Sequence, residues 1–348
     1  MNERAQTREG EPPVAVLGGG SFGWGLADAA ARNGHKVILW SRRPQRPATE
    51  SITVTGEILE LAAAELIFVA VPSAYVAEHV RVLGRRLSGE HFLVHVSRGV
   101  VGDELRTLSS VLRGETPCRR IGALGGPLVA EALSAGAPGG AIVGTLFPEV
   151  RDAVRAAIGG PSLRIYSTHD VLGVEIASTL VGLLSLIAGY CLERGMGPAT
   201  LAVMATRGMA EAARIGQNLG ARPETFSGLA GVGDLLAAFA GDGRPEVRAG
   251  RDLARGVAAP ATGSLRGAHV EGVGGARRVA DYTARVGIPS PLFQLTAEVL
   301  EGKMAGEAML AALMARRVGE VSLSVRTGRD APSRLPWRRS RREGAPGR

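Results

Sequence analysis

The first part of the chain alternates short apolar runs with glycine turns and alanine-rich segments, a pattern that predicts a parallel β-sheet. Residues 14–17 form an apolar run that leads directly into a glycine-rich turn at 18–23 and then into an alanine-rich stretch ending at Arg32. An Asn-Gly pair follows, and a second apolar run occupies residues 36–40. This succession of strand, glycine turn, helix and strand has the spacing of a βαβ unit.

Four later apolar runs extend the predicted sheet. Residues 66–72 and 92–97 are continuous apolar runs, as expected for strands that are covered on both faces. Residues 141–144 and 163–166 are shorter runs that we predict complete the same sheet.

The pattern changes at about Thr168, where long alanine- and leucine-rich stretches begin to repeat with the 3.6-residue period of helices. We therefore predict an α/β fold in which an N-terminal Rossmann-type parallel-sheet domain at residues 14–166 is followed by an all-helical C-terminal domain at residues 167–318. A length of 348 residues suits two domains, each with its own core.

One apolar stretch is almost long enough to cross a membrane. Residues 176–192 carry no charge and lie between Glu175 and Glu193, but they include Gly182 and Gly189. We interpret the stretch as a buried helix of the second domain. The N-terminus is charged and lacks the apolar run of an export signal, so the sequence predicts a cytoplasmic protein with no membrane span.

Composition indicates a folded chain, with 45% hydrophobic and 21% charged residues. A net charge of +8 would suggest nucleic-acid binding if it were spread over the folded body. Most of the charge lies instead in residues 326–348, which hold eight arginines and two acidic residues. The body is nearly neutral, so we expect no specific nucleic-acid partner and a disordered basic tail at 322–348. Two cysteines, Cys118 and Cys191, are too few for a disulfide framework or a cysteine-rich zinc site, and no metal is predicted.

The glycine turn carries the strongest chemical signal because it lies between a strand and a helix. Gly18 permits the tight turn, Gly20 lets the backbone approach a pyrophosphate, and Gly23 lets the helix pack against the strand. Ser21 and Phe22 begin the helix, whose first N–H groups face an anion bound there. The turn therefore predicts a dinucleotide site.

The end of the second predicted strand bears on which dinucleotide binds. An acidic residue at this point binds the ribose 2′-hydroxyl in NAD-specific sites, but this chain has Trp40-Ser41-Arg42-Arg43. Arginines favour a 2′-phosphate, so NADP is preferred over NAD, with Arg42 as the predicted contact. The alternative is a solvated turn with ordinary surface arginines, which leaves NAD open.

Seven further short motifs follow the glycine turn along the chain. They are Val71-Pro72-Ser73, Ser97-Arg98-Gly99, Gly126-Pro127, and the segments 167–175, 205–216, 228–235 and 270–272. Together with the glycine turn they resemble, in the same order, the motifs of the bacterial NAD(P)-dependent glycerol-3-phosphate dehydrogenases. The resemblance covers about residues 14–310.

The resemblance implies hydride exchange between NAD(P)H and dihydroxyacetone phosphate, which yields sn-glycerol 3-phosphate for phospholipid synthesis. It also implies a phosphorylated small-molecule substrate and a homodimer. Arg98, Ala130 and Glu271 are implied as further cofactor contacts, and Gly126 as a substrate contact.

The chain departs from the family at most of the residues that handle the substrate. The first family lysine corresponds to Arg98, which keeps the charge but exchanges protons poorly. The second lysine, which transfers the proton, corresponds to Val181, and its neighbouring asparagine to Gly182. Codon bias explains an arginine in place of lysine, but it does not explain Val181.

The family's phosphate-binding positions are altered as well. The serine of its Gly-Pro-Ser motif becomes Leu128, and its Ser-Arg-Asn cluster aligns with Arg244-Pro245-Glu246. Glu246 would repel a phosphate, whereas a one-residue shift would let Arg244 stand for the family arginine.

We therefore assign the catalytic roles to Arg98 and Asp234, and substrate binding to Arg98, Gly126, Asp234 and Arg244. Asp234 is equally consistent with a helix cap. Two functions stay open: a reductase that acts on dihydroxyacetone phosphate with an altered pocket or on another small carbonyl, and a non-catalytic NAD(P)-binding paralogue. The related 6-phosphogluconate and hydroxyacid dehydrogenases are disfavoured because they also use a catalytic lysine.

Overall fold

The computed structural model describes residues 10–43, 46–241, 243–257, 264–265 and 268–315. The predicted basic tail at 322–348 and the last residues of the predicted helical domain lie outside these ranges.

Eight strands of the described residues form one sheet, and two short pairs lie apart from it. In chain order the strands are β1 (Val14–Leu17), β2 (Val37–Trp40), β3 (Ile52–Thr55), β4 (Leu66–Val69), β5 (Phe92–His95), β6 (Val100–Val101), β7 (Arg106–Thr107), β8 (Ile121–Gly125), β9 (Gly139–Thr145), β10 (Leu163–Thr168), β11 (Ser264–Leu265) and β12 (Ala268–His269).

Helices cover the sheet and form the second half. They are α1 (Ser21–Arg32), α2 (Ser73–Gly84), α3 (Leu108–Glu115), α4 (Ala130–Ala135), α5 (Pro148–Ile158), α6 (Val171–Glu193), α7 (Pro198–Leu219), α8 (Pro223–Ser227), α9 (Asp234–Phe239), α10 (Pro245–Ala254), α11 (Glu271–Arg285), α12 (Pro291–Leu300) and α13 (Gly306–Ala315). A 3₁₀ turn at Ile58–Ala63 and a π turn at Leu229–Gly233 complete the set.

The strand order of the sheet is β10-β9-β8-β5-β4-β1-β2-β3. Six neighbouring strands of this sheet are parallel to one another: β8, β5, β4, β1, β2 and β3. They follow the order of a doubly wound dinucleotide-binding fold, which confirms the predicted fold class. One detail differs, because β9 runs antiparallel to β8. The prediction that residues 141–144 complete a parallel sheet is therefore wrong in direction, because an apolar run shows that a strand is buried but not which way it runs.

Both faces of the sheet are covered, as the continuous apolar runs predict. Val16 and Phe68 pack on one face, whereas their chain neighbours Leu17 and Ile67 pack on the other. Side chains that alternate in direction along each strand therefore contribute to two separate cores.

The second half is organised around α6, which contains the whole apolar stretch predicted as a buried helix. Asp170 caps its N-terminus by accepting a hydrogen bond from the Gly173 N–H at 3.0 Å. The helix is long and apolar enough to cross a membrane, but most of it is buried inside the protein by its neighbours. Beyond β10, the described residues of this half also contain the β11–β12 pair, which the helical pattern did not predict.

The predicted domain boundary lies close to the start of α6. β10 runs to Thr168, two residues beyond the boundary at residue 166, and α6 begins at Val171. The division into two domains stays a prediction.

Two glycines bring α6 and α10 into backbone contact. A Cβ on Gly189 would lie 2.0 Å from the Val247 carbonyl oxygen, and a Cβ on Gly250 would lie 1.9 Å from the Leu186 carbonyl oxygen. Real side chains do not approach so closely, so only glycine fits at either position. The contact fixes the first half of α10 against α6. The helix α10 begins one residue after Arg244.

We predict that Gly250→Ala destabilises the protein by about 1–3 kcal/mol, since the added methyl group must push the two helix backbones apart. Gly274→Ala is the matched control, because Gly274 also lies within a helix and a Cβ there meets nothing within 4 Å. The control should be neutral or stabilising by up to about 1 kcal/mol. Urea unfolding of both variants measures the difference, and equal stabilities would contradict the close helix contact.

Candidate active site

A cavity of about 790 Å³ lies where the carboxyl ends of β1, β4, β5 and β8 meet the helical half. Ligands of doubly wound sheets bind at this edge. The residues that line it are Gly18–Phe22, Trp40–Arg43, Ala70–Pro72, Val96–Arg98, Leu124–Gly126, Leu128–Glu131, Ser178, Gly243–Glu246, Arg248 and Glu271.

The glycine turn forms one end of the cavity. Gly18 has a φ of +127°, and a Cβ there would lie 2.6 Å from the Ala70 carbonyl oxygen. A Cβ on Gly23 would collide with the Gly18 carbonyl oxygen at 1.8 Å, whereas a Cβ on Gly20 would meet nothing within 4 Å. Gly18 and Gly23 are therefore required by the turn itself. Gly20 leaves its backbone open to the cavity, as contact with a pyrophosphate requires.

Most residues predicted to hold the cofactor are brought together here. Those that line the cavity are Gly18, Gly20, Ser21, Phe22, Arg42, Arg98, Ala130 and Glu271. Gly23 does not line it and acts from behind through packing. An open turn at a helix N-terminus, with arginines at the end of β2, suits the phosphates of a dinucleotide.

The two arginines that follow β2 line the same cavity as this turn. Arg42 and Arg43 both line the cavity, and the Arg42 guanidinium carbon lies 5.8 Å from the centre of the Tyr75 ring. Trp40 is fixed by its indole N–H, which donates to the Gly56 carbonyl oxygen at 2.8 Å.

A buried charge cluster forms the other end of the cavity. Asp234 begins α9 and is fully buried, and its carboxylate accepts hydrogen bonds from Arg98 Nη1 at 2.5 Å and Nη2 at 3.2 Å. The Arg244 Nη2 group donates to the same carboxylate. Asp234 does not itself line the cavity, so its geometry suits holding the two guanidiniums in place rather than touching a substrate.

Arg244 has two nitrogen groups that lack a hydrogen-bond partner within the described residues. It is 4% exposed, and within the described residues its Nε and Nη1 groups are buried without a partner. Burial and the neighbouring Arg98 guanidinium lower the pKa of Arg244. Unpaired buried donors are costly to a folded protein.

Two glutamates complete this end of the cavity. Glu271 begins α11 and accepts hydrogen bonds from the Ser73 N–H at 2.6 Å and the Ser73 hydroxyl at 2.5 Å, which joins the helical half to the start of α2. Glu246, the second residue of α10, is buried. Burial raises the pKa of Glu246, while the nearby Arg98 and Arg244 guanidiniums oppose that rise.

The position of the expected catalytic lysine holds no ionisable group. Val181 is fully buried in the helical core and does not line the cavity, although Ser178, one helical turn earlier, does. The two lysines of the chain lie elsewhere: Lys36 donates to the Glu50 carbonyl oxygen, and Lys303 pairs with Glu301. No lysine lines the described part of the cavity.

Substrate binding was predicted for Gly126, Arg98, Arg244 and Asp234. The first three line the cavity, whereas Asp234 does not. No role was predicted for Ser73 or Ser178. Ser73 belongs to a motif that the resemblance covers, and Ser178 lies three residues before Val181 and therefore on the same helix face.

The fold and the cavity together define an NAD(P)-binding oxidoreductase. The N-terminal family model, described as NAD-dependent glycerol-3-phosphate dehydrogenase N-terminus, matches residues 13–58 and 44–149, and the corresponding C-terminus matches residues 170–311. The glycerol-3-phosphate dehydrogenase [NAD(P)+] of Pseudomonas fluorescens (strain Pf0-1) is 33% identical over 312 residues, which cover 84% of this chain and 87% of the relative. That of Azotobacter vinelandii is 31% identical over 325 residues and covers 85% and 95%.

The chain belongs to the NAD-dependent glycerol-3-phosphate dehydrogenase family. Solved structures agree on the fold. A glycerol-3-phosphate dehydrogenase from Coxiella burnetii superposes with a TM-score of 0.82 at 24% identity, covering 88% of this chain and 99% of that one. A ketopantoate reductase from Ralstonia eutropha gives a TM-score of 0.56 at 16% identity, covering 86% and 99%.

We predict that Asp234→Asn destabilises the protein by about 3 kcal/mol, because it leaves the buried Arg244 guanidinium and the partly buried Arg98 guanidinium without their counter-charge. Asp281→Asn is the control: Asp281 also accepts a hydrogen bond from an arginine, Arg277, at 2.8 Å, but it is exposed. The control should lose less than about 0.5 kcal/mol. Chemical unfolding compares the two variants, and a loss at Asp234 no larger than the control's would refute the argument.

Proposed function

We propose that this chain is an NAD(P)H-dependent reductase of a small carbonyl compound, with a turnover of dihydroxyacetone phosphate far below that of lysine-containing relatives. The single observation that carries the proposal is the composition of one cavity. It joins an open glycine turn to the Arg98–Asp234–Arg244 cluster, and none of its described lining residues is a lysine.

The lining residues divide the work between two ends of the cavity. The glycine turn and the start of α1 would hold the pyrophosphate, and the bound dihydronicotinamide would supply the hydride. Arg98 and Arg244 would donate hydrogen bonds to an oxygen of the substrate and stabilise negative charge that develops there. Asp234 would hold both guanidiniums in place at the cavity wall.

Val181 supports the proposal that the ordinary family activity is strongly reduced. Proton transfer by a positioned group contributes about 10²–10⁴-fold to a rate, and fixed charge beside a developing alkoxide contributes about 10²–10³-fold more. Arg98 preserves part of the second effect, and no lysine lines the described part of the cavity to supply the first. The same valine favours the alternative function, an NAD(P)-binding protein without catalysis. A homodimer and a place in phospholipid synthesis remain predictions.

For the cofactor, we propose a preference for NADP over NAD. Arg42→Ala should weaken NADPH binding by about tenfold or more and change NADH binding by less than about twofold, since a charge-assisted contact to the 2′-phosphate is lost. Fluorescence titration of both nucleotides measures the effect. Arg46→Ala is the control, because Arg46 is paired with Asp28 at 2.8 Å and lies over Trp24. Equal losses for both nucleotides at Arg42 would refute the preference.

The function is tested by following NADPH absorbance with a panel of phosphorylated and unphosphorylated ketones. We expect turnover of dihydroxyacetone phosphate to be several orders of magnitude below that of a lysine-containing relative assayed in parallel. Turnover at the relative's rate would overturn the proposal. Binding of NADPH without reduction of any ketone would instead establish the non-catalytic alternative.

Restoring the family residues provides a second arm of the same test. The double variant Val181→Lys/Gly182→Asn should raise turnover of dihydroxyacetone phosphate, provided that it folds. Val181→Met/Gly182→Asn is the matched control, since methionine has a similar length but no charge or exchangeable proton. A gain shared by both variants would exclude the ammonium group as its cause.

A further inference from the structure

The cavity must contain a proton donor if it reduces a carbonyl group, and few of its described lining residues qualify. None of them is a lysine, histidine, cysteine or tyrosine, and its arginines hold their protons too tightly. Apart from hydroxyl groups, the remaining candidates are the carboxyl groups of Glu131, Glu246 and Glu271.

Two of these three carboxyl groups are poorly suited. Glu131 lies in the first turn of α4 and is exposed to solvent. Glu271 is already engaged, because its two oxygens accept hydrogen bonds from the backbone N–H and the hydroxyl of Ser73. Of the three carboxyl groups, that of Glu246 is the buried one, and it interacts with the guanidiniums of Arg98 and Arg244.

The position of Glu246 is fixed by the close contact of α6 and α10. Its Oε1 atom lies 4.0 Å from the point where a Cβ of Gly182 would be, so it approaches α6 beside Val181. The charged groups that act on it are Arg98 from the segment after β5, Arg244 at the start of α10 and Glu271 from α11. Its neighbours Gly243 and Arg248 are exposed, so water reaches this end of the cavity.

We propose that the Glu246 carboxyl group donates the proton to the carbonyl oxygen during reduction, in place of the lysine that Val181 removes. The inference rests on the proposed function and extends it by naming the acid. The raised pKa of Glu246, caused mainly by burial, keeps the carboxyl group protonated to higher pH than an exposed glutamate.

The step balances with the groups named. A bound reduced nicotinamide would supply the hydride, and with it both electrons, to the carbonyl carbon, and the carbonyl oxygen gains the proton as the Glu246 O–H bond breaks. The product is an alcohol. Glu246 is left as a carboxylate beside the Arg98 and Arg244 guanidiniums, and it recovers a proton from water before the next turnover.

The experiment uses the full chain, with NADPH and either dihydroxyacetone or dihydroxyacetone phosphate as the probe. Glu246→Gln should lower kcat by about 10²–10⁴-fold, while KM and NADPH affinity change little. Glu149→Gln is the matched control, since Glu149 likewise follows a proline at the start of a helix but is exposed. It should keep the kcat of the wild type.

The pH dependence supplies a readout that a structural role would not give. Because the reduction needs the protonated form, wild-type kcat should fall as pH rises through the pKa of Glu246, and this dependence should be absent in Glu246→Gln. Glu246→Asp should retain part of the activity together with the pH dependence.

An infrared difference spectrum tests the proton without any turnover. In a pH titration, wild type minus Glu246→Gln should show the C=O stretch of a protonated carboxyl group that persists to higher pH than that of an exposed glutamate. Glu211, whose pKa burial raises to about 7, is present in both proteins and cancels.

The outcomes separate this inference from the proposed function. Unchanged kcat in Glu246→Gln, or a Glu246 carboxyl band that is lost at the same pH as that of an exposed glutamate, overturns the inference, while a ketone-reducing wild type keeps the proposed function. A wild type that binds NADPH and reduces none of the ketones in the panel overturns the proposed function, and the inference falls with it.

Discussion

The carboxylate of Asp234 is the interaction on which the candidate site depends. Arg98 follows a strand of the sheet and Arg244 precedes a helix of the second half, so one buried acid binds cations from both halves of the chain. Without it, the two guanidiniums would repel each other at the same cavity wall. The position of the positive charge at the substrate end therefore follows from an acid that does not itself line the cavity.

Much of the fold could be predicted because local physical rules determine it. The glycine turn, the apolar strands and the buried helix α6 each follow from a pattern within about twenty residues. The reversal of β9 and the β11–β12 pair depend on pairing partners that no periodicity encodes. The nucleotide end was predictable for the same local reason, since Gly18 and Gly23 act on backbone a few residues away.

The substrate end was harder to predict because its residues come from distant segments. Arg98 and Arg244 were identified through the resemblance, but their shared contact with Asp234 exists only in the folded chain. Glu246 was interpreted as an obstacle to phosphate. Its place beside Gly182 depends on the contact between α6 and α10, in which Gly189 and Gly250 take part, and sequence spacing does not reveal that contact.

The hydrogen bonds between Glu271 and Ser73 have a consequence for how a nucleotide would enter. These hydrogen bonds join the helical half to the sheet half across the cavity. The Arg98–Asp234 pair joins the two halves at a second point. Two such links hold the walls together without any contribution from a bound nucleotide. The binding energy of the nucleotide is then not consumed in drawing the halves together from an open state, and the entropy lost on association is correspondingly smaller. Entry and exit would proceed through the mouth of a preformed cleft, with little rotation about a hinge.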